Sequence, residues 1–448
     1  MFAYLPHTES DIREMLERTG LSSLDELFLD IPEKIRLRDG INLPSGIGEY
    51  QVFREMEALS HRNNVEPVSF LGCGCYDHLI PAVIKHLTGR SEFLTAYTPY
   101  QAEMSQGMLQ AIFEFQSLMC RLTGLDVSNA SLYDGHTAAA EAAAMALNSS
   151  KKGDSILVSA AAHPSTIRIL GSYYADMGIT VETLPAKEGV SSLQELKERL
   201  SERVAGVVIQ TPNIYGILED LSGIADMIHA AGSMLIISAN PLSLGVCRPP
   251  GEWGADIAVG DCQPLGLAPG FGGPSAGYIA ATEKLLRKLP GRISGMTVDR
   301  QDRRGFVLTL QAREQHIKRQ RATSNICSNQ ALAALGTTIY LSSIGEEGLK
   351  ETALRNLNNA AYAFRELTSI PGVEAAFEGS FFNEFTLDLP CDANILVADL
   401  AQRGYFAGVP EKRLIPGADP GRLIVAVTEK RSKEEIDGFV RAMKETLI

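Results

Sequence analysis

Short apolar runs recur along residues 154–261, at the spacing expected of strands that alternate with helices. Each run is nearly continuous, as is typical of strands buried on both faces of a parallel sheet. The runs are DSILVSA (154–160), GITVETL (178–184), AGVVIQTP (205–212), SMLIISAN (233–240) and ADIAVGD (255–261). Helical patterns lie between them at 193–200 and 223–231, and the Ala-rich stretch 138–147 precedes them. The pattern predicts an α/β domain with a mostly parallel sheet.

The segment before this region has a different pattern. Thr8 or Ser10 can cap a short helix at 11–18 that Gly20 ends, and a second helix begins at Ser22. Connectors rich in Pro and Gly follow, and then a clear helix at 49–62. We therefore predict that residues 1–67 form an N-terminal arm of helices.

The pattern changes again after residue 279. Helices are predicted at 313–321, which is rich in basic residues, and then at 329–343 and 349–367. The tail alternates short strands with a final helix at 433–447. We therefore expect a large domain at 68–329 and a smaller α+β domain at 330–448.

Composition restricts the class of protein. The 448 residues include 41 Lys and Arg against 54 Asp and Glu, a net charge of −13. This balance argues against a nucleic-acid surface, which needs clustered basic residues, and against binding to anionic membranes. No stretch approaches the roughly 20 apolar residues of a membrane helix. The seven cysteines do not suggest a disulfide framework, and the N-terminus lacks a secretory signal pattern, so we expect a cytoplasmic protein.

Three motif matches fail on their context. GCGCYD (72–77) begins like a dinucleotide-binding fingerprint, but Asp77 stands where the third glycine belongs. Cys73, Cys75 and His78 lack a fourth ligand at a suitable spacing, so no metal site is predicted. GPSAG (273–277) matches a nucleophile elbow, which requires a strand before it and a helix after it. Here a loop precedes the motif and a strand follows it.

Gly135, His136 and Thr137 lead directly into the Ala-rich helix. Free amides at a helix N-terminus suit an anion such as phosphate, although the same residues also make a good cap without any ligand. His163 follows the first apolar run, and Asn240 and Gln263 follow two later ones. Because parallel strands place their carboxyl ends at one edge of the sheet, these side chains are candidates for a ligand crevice.

The segment Tyr97, Thr98, Pro99 and Tyr100 is predicted to form a turn, since the residue before a proline favours extended geometry. Two tyrosines on a loop fixed by proline could line a pocket. They could equally cover the sheet, and the sequence leaves both interpretations open.

Four of these segments together resemble the glycine cleavage system P-protein family, and more narrowly the alpha subunit of its two-subunit form. They are residues 97–110, 122–146, 240–266 and 271–280. The resemblance implies the aminotransferase-like fold type I of pyridoxal-phosphate enzymes, with a small C-terminal domain. It also implies the reaction, in which glycine loses CO2 and its aminomethyl group passes to the lipoamide of H-protein.

The sequence departs from a complete enzyme of this class at the cofactor attachment point. No lysine occurs between Lys197 and Lys284, and alignment on the Gly-rich loop places Gln263 at the Schiff-base lysine and Cys262 at its neighbouring histidine. An amide cannot form a Schiff base. The acid expected near 238–240, beside the cofactor's pyridine nitrogen, is also missing. We therefore expect no catalysis by this chain alone.

The resemblance to the two-subunit family implies a partner subunit that supplies the Schiff-base lysine. A beta subunit would carry pyridoxal phosphate covalently on its lysine, in a heterodimer expected to assemble as α2β2, and the complex would act on glycine and H-protein. The loop Tyr97, Thr98, Pro99 and Tyr100 would then reach the partner's site. The crevice would be vestigial, and its residues are Gly135, His136, Thr137, His163, Asn240 and Gln263.

Two other functions remain open. A degenerate pyridoxal-phosphate fold could serve as a non-catalytic regulatory or interaction protein, and the absence of a lysine-bearing homologue would favour that function. A self-sufficient pyridoxal-phosphate enzyme of another class, such as an aminotransferase or a cysteine desulfurase, is the third possibility. The missing lysine argues directly against it.

Overall fold

The computed structural model of the chain describes residues 4, 6–37, 40–94, 98–99 and 101–447. These residues form two compact units, Met1–Val65 and Glu66–Ile448. Over the described ranges, no helix is long and apolar enough to cross a membrane.

The helices and strands have the following bounds. The helices are α1 (Glu9–Thr19), α2 (Glu49–Ser60), α3 (Ala82–Thr88), α4 (Ser91–Leu94), α5 (Gln106–Thr123), α6 (Gly135–Ser149), α7 (Pro164–Tyr174), α8 (Leu193–Arg199), α9 (Ile224–Ala230), α10 (Gln315–Lys318), α11 (Ala331–Thr368), α12 (Ala393–Gln402) and α13 (Lys433–Leu447). The strands are β1 (Val68–Ser69), β2 (Val127–Ser128), β3 (Ser155–Ser159), β4 (Thr180–Leu184), β5 (Ala186–Lys187), β6 (Val190–Ser191), β7 (Val204–Gln210), β8 (Met234–Ser238), β9 (Ile257–Asp261), β10 (Gly277–Ala281), β11 (Ser294–Val298), β12 (Arg304–Leu308), β13 (Glu374–Ala375), β14 (Glu384–Asp388), β15 (Tyr405–Phe406), β16 (Val409–Pro410) and β17 (Arg422–Ala426).

The N-terminal unit contains α1 and α2. Thr8 caps α1 through its side chain, and the carboxylate of Asp11 accepts a hydrogen bond from the Thr8 amide at 2.7 Å, so the two residues form a capping box. Gly20 ends the helix in the left-handed conformation, with φ 73°. The helices predicted at 11–18 and 49–62 are therefore present within about two residues of their predicted bounds. The helix predicted to begin at Ser22 is a short 3-10 helix, Leu24–Phe28.

A seven-stranded sheet forms the centre of the second unit, in the order β2-β10-β9-β8-β7-β3-β4. Strands β4, β3, β7, β8 and β9 run parallel, and β10 is antiparallel to both of its neighbours. All five apolar runs of the sequence are strands of this sheet. The prediction of an α/β fold with a mostly parallel sheet is confirmed.

The Ala-rich helix α6 packs across one face of the sheet. Ala139, Ala142 and Ala146 are fully buried in a core cluster that also contains Val208 and Ile236 from the strands. Because alanine side chains are small, the helix axis lies close to the sheet and the start of α6 reaches the carboxyl ends of the strands. Helix α9 helps cover the opposite face.

The C-terminal residues build a second, smaller sheet in the order β13-β14-β17-β16. This sheet has its own apolar core with α12 and α13, in which the rings of Phe70 and Phe439 stack with centroids 4.1 Å apart. Strand β1 pairs in parallel with β15, so the start of the second unit is tied to its end. The α+β character of the tail agrees with the sequence pattern, and the boundary at 329/330 stays a prediction.

The predicted long basic helix at 313–321 is wrong. This stretch contains only the single helical turn α10, between the 3-10 turns Gln311–Arg313 and Arg319–Arg321. The backbone is extended at Glu314, with φ −79° and ψ 158°, and in the left-handed region at Arg319, with φ 55°, which interrupts a continuous helix. The hairpin of β11 and β12 directly precedes it.

The helices predicted at 329–343 and 349–367 are both present as parts of α11. Gly345 separates them, with φ 64° and ψ −171°, a conformation that is essentially restricted to glycine. The break in the sequence pattern therefore corresponds to a kink rather than to a loop.

The kink gives a testable prediction on stability. We expect Gly345→Ala to lower the free energy of unfolding by about 1–3 kcal/mol, because the new Cβ strains the backbone at this φ and ψ. A urea titration monitored by circular dichroism measures this free energy of unfolding. Gly171→Ala is the matched control, because Gly171 lies within α7 and a Cβ there meets no atom within 4 Å. The control should be neutral or stabilising, by up to about 1 kcal/mol, and equal effects of both substitutions would contradict the argument.

Candidate functional site

A small cavity lies where the carboxyl ends of β3, β7, β8 and β9 meet the start of α6. Its volume is about 80 Å³. Four of the predicted crevice residues line it, namely Gly135, His136, His163 and Asn240. Thr137 and Gln263 do not line it. Lining residues that the sequence analysis did not single out include Tyr76, Thr166, Gln210, Ser238 and Asp261.

The start of α6 is capped by its own residues. The carboxylate of Asp134 accepts a hydrogen bond from the Thr137 amide at 2.8 Å, and the Thr137 hydroxyl accepts one from the Asp134 amide at 3.2 Å. This capping box accounts for Thr137 without a ligand. A Cβ at Gly135 would lie 2.8 Å from the Asp261 amide nitrogen, so the helix start approaches β9 as closely as only glycine allows.

The side chain of the neighbouring Asp261 accepts three hydrogen bonds. One carboxylate oxygen accepts from the Gly135 amide at 3.0 Å, and the other accepts from the Gln263 amide at 2.8 Å and from the Ser275 hydroxyl. Burial raises the pKa of this carboxyl group above its usual range. A signal for it was present in the sequence, since a carboxylate directly ends a buried apolar run.

Two histidines stack on each other beside the cavity. The rings of His136 and His163 have centroids 4.6 Å apart and an interplanar angle of 33°. His136 Nδ1 shares a hydrogen bond of 2.9 Å with the Thr166 hydroxyl, and His163 Nδ1 accepts from the Ser165 amide at 3.0 Å. Burial, followed by the nearby His136, lowers the pKa of His163 to about 4, so this ring is neutral at pH 7.

Gln263 makes three hydrogen bonds with backbone atoms around it. Its side-chain oxygen accepts from the Tyr76 amide at 2.8 Å, and its side-chain nitrogen donates to the carbonyls of Tyr76 and Leu267, each at 2.9 Å. The residue is buried. The amide at the expected lysine position therefore holds the loop 72–77.

A buried carboxylate, Glu384, fixes the same loop from the other side. It accepts from the Cys73 amide at 2.6 Å and from the Tyr76 hydroxyl at 3.1 Å. Burial raises the pKa of this carboxyl group to about 7. No pattern in the sequence indicated Glu384, because its partners lie more than 300 residues away.

The remaining predicted site residues are Asn240 and the tyrosine loop, residues 97–100. The side-chain oxygen of Asn240 accepts from the Leu242 amide at 3.0 Å, and its side-chain nitrogen is buried without a hydrogen-bond partner within the described part of the chain. Tyr97 and Tyr100 lie outside the described residues. Thr98 is half-buried and Pro99 is buried, and the role of this loop stays a prediction.

The crevice does not fit pyridoxal phosphate. A cavity of about 80 Å³ is far below the roughly 300–1,000 Å³ of typical ligand sites. None of the residues that line it is a lysine or an arginine. The Gly135 amide, which could receive a phosphate oxygen, is already bonded to Asp261.

Comparison with known proteins first defines the class. The fold is that of type I pyridoxal-phosphate enzymes, as in alanine–glyoxylate aminotransferase from Nostoc sp., which has a TM-score of 0.59 at 20% identity and covers 86% of this chain and 96% of its own. A crystal structure of glycine decarboxylase (P-protein) of the glycine cleavage system, in inhibitor-bound form, has a TM-score of 0.89 at 44% identity and covers 100% of both chains.

The particular family follows from the sequence comparison. A family profile described as glycine cleavage system P-protein matches residues 2–443, and the chain belongs to this family. Its relatives include the probable glycine dehydrogenase (decarboxylating) subunit 1 of Carboxydothermus hydrogenoformans, 48% identical over 98% of this chain and 99% of the relative. The protein of the same name from Geotalea daltonii is 49% identical over 99% of this chain and 100% of the relative. The family expected from the motifs is confirmed.

The raised pKa of Glu384 gives a prediction on stability against pH. The folded state binds this proton more tightly than the unfolded state, so the free energy of unfolding should fall as the pH rises from 4.5 to about 7. One carboxyl group contributes at most about 1.4 kcal/mol per pH unit. We expect Glu384→Gln, which keeps both hydrogen bonds possible, to reduce this slope in urea titrations across the pH range.

The matched control is Glu374→Gln, because Glu374 is exposed on β13. It should leave the slope unchanged. An identical pH dependence in the wild-type chain and in Glu384→Gln would contradict the buried, protonated carboxyl group.

Proposed function

We propose that this chain is the subunit of glycine dehydrogenase (decarboxylating) that lacks the Schiff-base lysine, and that it acts in the cytoplasm with a beta subunit that carries this lysine. The beta subunit would hold pyridoxal phosphate covalently, and the complex, expected to be α2β2, would decarboxylate glycine and pass its aminomethyl group to the lipoamide of H-protein. One observation carries the proposal. In a chain that belongs to the family over nearly its whole length, Gln263, which the resemblance aligns with the Schiff-base lysine, has its side-chain amide bonded to backbone groups.

The anchoring of the segments on either side of the tyrosine loop supports a role toward a partner. After the loop 72–77, His78 and the Leu79 amide bond to the two carboxylate oxygens of Glu429, at 2.8 and 2.7 Å. Beyond the tyrosine loop, Gln106 is bonded at both ends of its amide to the backbone of Phe306, each at 2.8 Å. Fixed flanks of this kind suit a loop that contributes a wall to another subunit's site.

The exchange of CO2 with the carboxyl group of glycine tests the function. The chain should show no exchange alone, and a mixture with its lysine-bearing homologue should show far more than the homologue alone. Equal exchange by the homologue with and without this chain would instead favour the regulatory function. Exchange by this chain alone would overturn the assignment of Gln263.

The tyrosine loop is tested separately in the mixed complex. We expect Tyr97→Phe or Tyr100→Phe to lower the exchange rate about tenfold, the effect of losing roughly 1.4 kcal/mol of transition-state stabilisation from one hydroxyl. Tyr50→Phe is the control, because Tyr50 is exposed on α2 of the N-terminal unit. Undiminished glycine decarboxylation in both loop variants would count against a role for this loop.

A further inference from the structure

We propose that Asp261 acts as a built-in substitute for a phosphate group, and that it closes the crevice of this chain to phosphorylated ligands. Its carboxylate lies at the N-terminus of the 15-residue helix α6 and accepts from the Gly135 amide at 3.0 Å. This amide, together with the positive end of the helix dipole, is what an incoming phosphate would need. The amide and the helix dipole already interact with the carboxylate of Asp261.

The charges around this position act against a second anion. Asp134 caps the same helix end, so a phosphate there would face two carboxylates in a poorly hydrated place. The lining of the cavity contains no lysine or arginine to offset this repulsion. Burial raises the pKa of Asp261, which agrees with a carboxyl group that is poorly hydrated and unpaired with a cation.

The space against the His163 ring is also occupied, in this case by another side chain of the protein. The ring of His136 stacks on His163 and is held by the Thr166 hydroxyl. A planar ligand that entered against His163 would have to displace this ring. Asp261 and His136 thus occupy the two places that a phosphorylated, planar molecule would require.

Asp261 is held too firmly to move aside. Besides the Gly135 amide, it bonds to the Gln263 amide and to the Ser275 hydroxyl of the Gly-rich loop. Release would therefore leave three partly buried hydrogen-bond donors unpaired at once. The loss of cofactor binding consequently has three separate causes, the amide at position 263, the carboxylate at position 261 and the ring of His136, and replacing the amide by a lysine does not restore binding.

Binding measurements on the full chain test this. Equilibrium dialysis with inorganic phosphate and with pyridoxal phosphate compares the wild-type chain with Asp261→Ser, which removes the carboxylate and opens space. We expect at least about tenfold tighter binding of inorganic phosphate to Asp261→Ser, equal to about 1.4 kcal/mol, and the same gain for pyridoxal phosphate only when His136→Ala is added. Asp176→Ser, at an exposed aspartate after α7, is the matched control and should behave as the wild-type chain.

A second arm separates the causes. Gln263→Lys alone should give no borohydride-stable pyridoxyl label in the peptide that contains position 263, whereas Gln263→Lys combined with Asp261→Ser and His136→Ala should give that label by mass spectrometry. Circular dichroism monitors folding, and Asp261→Ala, which also removes the carboxylate, replaces Asp261→Ser if the latter does not fold.

Three results would overturn the proposal. They are phosphate binding by the wild-type chain as tight as by the Asp261 variants, no gain in any Asp261 variant that folds, and a label at position 263 in the single Gln263→Lys variant. Each measurement concerns this chain alone, so its failure leaves the exchange activity of the mixed complex, and with it the proposed function, untouched.

Discussion

The buried hydrogen bonds of Asp261 hold together the parts of the chain on which the site depends. One side chain joins the end of β9 to the first amide of α6, to the turn at Gln263 and, through Ser275, to the Gly-rich loop before β10. The close approach of α6 to the sheet follows from its buried alanines and from Gly135. A pyridoxal-phosphate enzyme organises such a region around its cofactor. Here a carboxylate of the chain makes the contact at the helix start.

The loop 72–77 is likewise held by hydrogen bonds to other residues of this chain. Gln263 and Glu384 hold it from two sides, and Glu429 fixes the residues that follow. Under the proposed function, this subunit, with its rigid loop, forms walls for its partner's site. That role would account for detailed family motifs in a chain that has no lysine between Lys197 and Lys284.

Much of the fold could be predicted from the sequence because its signals are local. Nearly continuous apolar runs identified five strands of the central sheet, and the Ala-rich stretch identified α6. The basic stretch 313–321 was predicted wrongly, since its backbone is extended at Glu314 and has a positive φ at Arg319 that no glycine signals. Helical propensity is a weak guide where tertiary context sets the backbone.

The candidate site was less accessible to sequence reasoning. The sequence predicted that His163 and Asn240 lie at one edge of the sheet, because each follows a strand and parallel strands end at the same edge. It did not predict the orientation of the Gln263 side chain, which depends on the Tyr76 backbone 187 residues away. Asp261 and Glu384 likewise act through partners distant in the chain, 126 and more than 300 residues away, and such pairings are set only when the chain folds.

The location of the cofactor in the assembled enzyme tests the central claim most directly. The complex of this chain with its lysine-bearing homologue would be reduced with borohydride, and the pyridoxyl group would be located by mass spectrometry of each subunit. The account predicts the group on one lysine of the partner subunit and none on this chain. A stoichiometric pyridoxyl group on any lysine of this chain would contradict it.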